Sequence, residues 1–213
     1  MQVEVWTDVI CPWCYIGRRR FDKALRQFDG AESVEVTYRS FELDPGAPAQ
    51  SDMSLSQLLA AKYGLSLVEA QAANERVTQT AAAEGLDFHL ELARPTNTLA
   101  AHRLLQLASA RHNRPAVEER FLKAYFTEGE SLSDPETLVR LALEAGLRDA
   151  DARRVLAGQA FTLHVRQDEA EAAALGADGV PFFLFDRIRT VSGAQPTDFF
   201  LNVLEMVRGQ HSP

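Results

Sequence analysis

Helical spacing runs from Leu55 to about Leu175, and strand patterns occur only on either side of it. That interruption constrains the fold more than any other feature. The N-terminal side reads strand, helix, strand; the C-terminal side reads strand, strand, helix. Each β portion is too small to be stable alone. The two must therefore join in one mixed sheet, giving an α/β core with the intervening helices as an insertion. The expected division is residues 1–50 and 176–213 for the sheet-bearing domain and 51–175 for the all-helical insertion. A length of 213 residues suits one domain carrying an insertion.

The first strand is read over Gln2 to Asp8, where Val3 and Val5 share one side. A helix follows, with Ile16, Phe21, Leu25 and Phe28 at helical spacing. Pro12 suits its first position, where a missing N–H costs nothing. Cys11 is then the N-cap and Cys14 stands near the third helical position. Val34 to Leu43 is the second strand, so the unit is βαβ with parallel strands and a right-handed crossover. Within the helical stretch, Ser66 with Glu69 and Ser133 with Glu136 read as capping boxes. Asn97 and Thr98 read as caps, and Pro115 opens a further helix. Gly179 to Phe185 is an apolar run of buried-strand type. Arg187 to Gly193 is its partner, joined by a tight turn at Asp186 and Arg187. Pro196 opens the last helix.

The chemistry centres on Cys11-Pro12-Trp13-Cys14, which holds both cysteines of the chain. A net charge of −8 gives no basic surface for nucleic acid or anionic membranes. No run approaches the length of a membrane span, and the N-terminus lacks the pattern of a signal peptide. The expected location is therefore cytoplasmic, where a structural disulfide is rare and a Cys-x-x-Cys is catalytic or metal-binding. Zinc needs four ligands, and His89, His102, His112, His164 and His211 form no pair at ligand spacing. No metal or other bound cofactor is expected. Two inert buried thiols are the bland alternative.

A thiolate is the nucleophilic form of cysteine, and helix N-terminal N–H groups favour negative charge. Cys11 is thus placed to attack a disulfide. Three-residue helical spacing brings Cys14 within disulfide reach, so it can resolve the resulting mixed disulfide. Pro181, directly before an apolar strand, can be a strand-start proline. It can also be a cis proline that presents the Val180 backbone to an extended peptide or to glutathione.

These features resemble the DsbA-like branch of the thioredoxin superfamily, and within it the FrnE-like group. The resemblance rests on "DVICPWCYIGRRR", "RPTNTLAAHRL", "AYFTEGESLSD", "GADGVPFFLF" and "VSGAQP", and covers essentially the whole chain. It implies a thioredoxin fold with a helical insertion, a nucleophilic Cys11, a resolving Cys14 and a cis Pro181. It implies action on disulfide-containing proteins or glutathione-like small molecules, with redox exchange through glutathione or thioredoxin. Two positions depart from common patterns. Val5 stands where many thioredoxin-fold proteins carry a buried acid, leaving Asp8 as the nearest carboxylate to Cys14, unless Asp8 only caps the turn into the helix. Trp13 stands where DsbA has histidine, so it cannot stabilise a thiolate by charge, and a less oxidising couple is expected. Trp13 offers an apolar face to substrate or to the helical block.

Further candidates are His102 and Asn97, which either line a mostly apolar cleft under the insertion or serve structure. Gly193, Ala194 and Gln195 could hold a substrate carboxylate with backbone N–H groups. A rival reading is a glutathione-dependent isomerase or transferase of the 2-hydroxychromene-2-carboxylate isomerase or kappa type. In those proteins serine typically stands at the first-cysteine position. A third is a non-catalytic binding module, indifferent to replacement of Cys11.

Overall fold

The computed structural model describes residues 1–210. Strand β1 (Gln2–Thr7) leads into helix α1 (Pro12–Gln27), and β2 (Glu35–Ser40) returns beside β1. Helices α2 (Leu55–Tyr63), α3 (Leu67–Ala83), α4 (Leu99–Ser109), α5 (Arg114–Phe126), α6 (Pro135–Glu144), α7 (Asp149–Ala157) and α8 (Thr162–Ala174) follow in order. The chain closes with β3 (Phe182–Phe185), β4 (Arg189–Ser192) and α9 (Thr197–Gly209). Among the described residues the strands form one mixed sheet in the order β2-β1-β3-β4. β1 and β2 are parallel, while β3 runs antiparallel to both β1 and β4.

Alternation along β1 sorts its side chains. Val3 and Val5 join Phe183 and Phe185 of β3 on one face, where Phe21 of α1, the C-cap Phe28 that follows it, and Phe200, Val203 and Leu204 of α9 pack. The Phe21 and Phe200 rings meet edge to face, centroids 5.6 Å apart. On the other face Trp6, Phe182 and Leu184 pack with Ala172 of α8. Strand β3 is buried at all four positions, which is why it reads as an unbroken apolar run.

The second face holds what the alternating pattern of β1 conceals. Glu4 is buried there. Its carboxylate accepts from Arg39 at 2.6 Å and from Arg187 at 2.7 Å. Asp168 of α8 accepts the Ser40 N–H at 2.8 Å, and its carbonyl accepts the Trp6 indole N–H at 2.8 Å. A buried charge of this kind persists only when paired and hydrogen-bonded.

Those α8 contacts move the domain division. The sheet-bearing unit comprises Met1–Leu43 and Gln167–Pro213, and the helical unit comprises Asp44–Arg166. The division thus falls after Leu43 and Arg166, not after residues 50 and 175. The cause is that Asp168 and Ala172 on α8 belong with the sheet.

Within the helical unit, Ser66 and Glu69 form the expected capping box, and Ser54 with Gln57 forms another. The cap of α6 is Asp134, whose carboxylate accepts the Thr137 N–H at 2.8 Å, and not Ser133. The Ser133 hydroxyl donates to the Ala49 carbonyl instead. The buried Arg103 guanidinium donates to the Val155, Gly158 and Ala160 carbonyls, satisfying groups around the end of α7. Among the described residues, no helix is long and apolar enough to cross a membrane.

Candidate active site at the first helix

The β1–α1 junction builds the site. Pro12 occupies the first helical position and Cys11 is the N-cap, with an extended backbone (φ −91°, ψ 112°). The Cys11 N–H donates to the Asp8 carbonyl at 3.2 Å, and the Cys14 N–H donates to the Cys11 carbonyl at 3.1 Å. These bonds hold the four-residue motif as a tight turn opening into helix. Both cysteines are free thiols.

Cys11 and Cys14 are 3% and 1% exposed, whereas Trp13 between them is 41% exposed. The motif thus offers an indole to solvent beside a shielded dithiol. The Cys11 thiol donates to the Val180 carbonyl at 3.4 Å. Val180 precedes Pro181 through a cis peptide bond. Cys11, Cys14, Val180 and Pro181 are thereby brought together in one unit from opposite ends of the chain.

Burial pushes the Cys14 thiol well above the ordinary thiol range, and the hydrogen-bonded Cys11 thiol adds to the rise. The Asp8 backbone N–H, 3.4 Å from Cys14 Sγ, pulls the other way. The Asp8 side chain has a partner in a remote segment. It is fully buried and accepts the Leu43 N–H at 2.8 Å. It therefore ties the segment after β2 to the loop that carries the cysteines.

The other candidates have different surroundings. Pro181 accepts the Gly193 N–H on its carbonyl at 2.8 Å, and the Gln195 N–H donates to the Gly193 carbonyl at 2.9 Å. The Gln195 side chain folds back onto the Ser192 carbonyl at 2.8 Å. The amides of Gly193 and Gln195, expected to face a substrate carboxylate, are instead spent inside the protein. Asn97 and His102 belong to the helical unit. Asn97 accepts the Leu99 N–H at 3.0 Å and donates to the Pro45 carbonyl at 3.2 Å, a turn and capping role. His102 is completely buried within α4. Sequence reading missed Gly17, a buried residue of α1 beside Pro181. Its signal was a glycine inside a helical pattern.

Among the described residues, no group of three or more His, Cys, Asp or Glu side chains is placed to hold a metal ion. What the arrangement can do is thiol chemistry, with one sulfur at a helix N-terminus and a second buried behind it.

Comparison with known proteins points the same way. A family model described as a DSBA-like thioredoxin domain matches residues 2–205. A crystal structure from Streptomyces coelicolor, described as a probable DsbA oxidoreductase, SCO1869, is 45% identical, with a TM-score of 0.96 over 100% of this chain and 92% of that one. The cytosolic disulfide reductase DsbM from Pseudomonas aeruginosa, solved with GSH, shares the fold at 18% identity and a TM-score of 0.68, over 98% of this chain and 100% of that one. A 2-hydroxychromene-2-carboxylate isomerase shares it at 17% identity and 0.67, over 99% of this chain and 95% of that one.

Proposed function

The chain belongs to the DSBA-like thioredoxin domain family, and from that premise we propose that it is a thiol–disulfide oxidoreductase working through Cys11 and Cys14. The family supports oxidoreductase or isomerase chemistry on disulfides. The dithiol assignment is our finer reading. The observation that carries it is the pair itself: two free thiols, Cys11 as the N-cap and Cys14 buried one turn on.

In the reducing direction, the Cys11 thiolate attacks one sulfur of a substrate disulfide. A Cys11–substrate disulfide forms, the substrate S–S bond breaks, and the leaving sulfur takes a proton. Cys14 then gives up its proton and attacks Cys11 Sγ. The second substrate thiol departs, and an intramolecular disulfide remains. Two electrons and two protons pass to the substrate. Glutathione or a thioredoxin-type dithiol returns them to the enzyme. The oxidising direction is the reverse.

Trp13 is the exposed residue of the motif, with Pro12 half-buried beside it, and substrate arrives on this side. Val180, before Pro181, offers backbone at which an extended peptide docks as an added strand. A cytosolic setting, as named for DsbM, is part of the proposal. The fold is shared with an isomerase and does not choose between the chemistries. Cys14 supports the redox reading, because glutathione-dependent isomerisation gives a buried second thiol no task.

The test is the redox equilibrium of the pair in glutathione buffers, read by thiol alkylation and mass. A reversible intramolecular disulfide is expected. A potential near roughly −270 mV marks a reductase, and one near roughly −120 to −200 mV marks an oxidase or isomerase of disulfides. If Cys11 only carries glutathione and no Cys11–Cys14 disulfide forms, the dithiol reading fails and the glutathione-dependent isomerase takes its place.

A further inference from the structure

Gly17 sits buried in the middle of α1 with ordinary helical backbone. A glycine inside a helix is destabilising relative to alanine, and no positive φ calls for it here. Space does. A Cβ built on Gly17 would lie 3.0 Å from Cγ of Pro181 and 3.3 Å from both Cα and Cβ of Ala194. Two loops therefore rest on this one bare patch of helix.

Other bonds tie the same pieces together. The Gly193 N–H donates to the Pro181 carbonyl at 2.8 Å. Arg20, one turn beyond Gly17, donates to the Ala194 carbonyl at 2.7 Å. Cys14, Gly17 and Arg20 follow at three-residue spacing on one face of α1. The helix that presents the dithiol thus also sets how closely the Pro181 loop approaches it. Val180, the residue before Pro181, has its carbonyl 3.4 Å from Cys11 Sγ.

We propose that Gly17 is a positioning residue, and that its missing side chain seats Pro181 so that the Val180 backbone stands at the height of Cys11 for an extended peptide. The proposal rests on the oxidoreductase reading above. It separates two kinds of substrate. A peptide disulfide needs the Val180 backbone to dock, whereas a small aryl disulfide needs only Cys11.

The experiment compares wild type and Gly17→Ala with two probes, a fluorescent octapeptide bearing one internal disulfide and 5,5′-dithiobis(2-nitrobenzoate). Gly17→Ala is expected to lower kcat/KM for the peptide about tenfold, mostly through KM, because a small misplacement at a reacting centre has large consequences. Its rate with the aryl disulfide should stay within about twofold, the scatter of independent effects. With Pro181→Ala as background, where the ring is gone, adding Gly17→Ala should lower peptide turnover by less than about twofold. If Gly17→Ala does not fold, Gly17→Ala with Ala194→Gly, which reopens space on one side, must show the same split. Unchanged peptide kinetics, equal losses with both probes, or an undiminished effect in the Pro181→Ala background would each overturn the proposal. Cys11→Ser is the control for the underlying reading. A wild type whose turnover survives Cys11→Ser refutes the oxidoreductase itself, and the role of Gly17 with it.

Discussion

The amide N–H of Asp8 donates to the sulfur of Cys14 at 3.4 Å, beneath the helix N-terminus where Cys11 stands. Asp8 thus serves the second thiol with its backbone, while its carboxylate is engaged with the Leu43 N–H.

The surroundings of Cys14 give a pH dependence. Burial is the largest cause of its raised pKa and is separate from the contribution of Cys11. Release of the second substrate thiol should therefore accelerate with pH about tenfold per unit, continuing beyond the ordinary thiol pKa of about 8.5. Stopped-flow release from pH 6 to 9.5 checks this, and a plateau below about 8.5 would contradict it. Stability follows the same sign. The folded-state pKa lies above the unfolded value, so the contribution of Cys14 is fully present below about pH 8.5 and is lost as pH rises toward the folded pKa. Urea unfolding of the reduced protein should show this decline, and Cys14→Ala should lack that component.

Asp8→Ala should destabilise by about 1–3 kcal/mol, since it removes the buried carboxylate that accepts the Leu43 N–H. Asp8→Asn, which keeps an acceptor oxygen, should lose less. Equal losses for the two variants in chemical denaturation would show that charge matters here, and not the hydrogen bond.

Trp13→Ala should leave thermal unfolding nearly unchanged, because the indole is substantially exposed. Its effect belongs to binding, where loss of an aromatic contact of about 0.5–1.5 kcal/mol raises KM for peptide disulfides several-fold. Steady-state kinetics beside a melting curve separates the two. A large drop in melting temperature would make Trp13 a packing residue.

In the helical unit, Gly129 has φ +68°, and a Cβ there would come within 2.6 Å of Leu92 Cβ. Gly129→Ala should cost about 1–2 kcal/mol for the left-handed backbone and about 1–3 kcal/mol more for overpacking. Gly85 has φ +78° but open space around it. Gly85→Ala should show the backbone cost of about 1–2 kcal/mol alone. The difference between the two variants in urea unfolding measures the Leu92 contact.

Local patterns made much of this protein legible in the sequence. Pro12 after Cys11 marks a helix start through steric rules that act within a few residues, and Cys11 is indeed the N-cap. The interrupted β pattern required one mixed sheet, because isolated strands cannot satisfy their backbone. The Asp186–Arg187 turn occurs where two adjacent residues take positive φ. What tertiary structure decided depends on partners distant in sequence. Glu4 falls at a polar position of an alternating strand, yet it is buried, and Arg39 and Arg187 donate to its carboxylate. The amides of Gly193 and Gln195 read as free donors, yet carbonyls brought up by the fold occupy them. Gly17 passes without notice in the helical pattern, and its need for an empty space comes only from Pro181 and Ala194 packing against it. Periodicity and capping are written into neighbouring residues, whereas which polar group is satisfied and which gap must stay empty is settled only when remote segments pack.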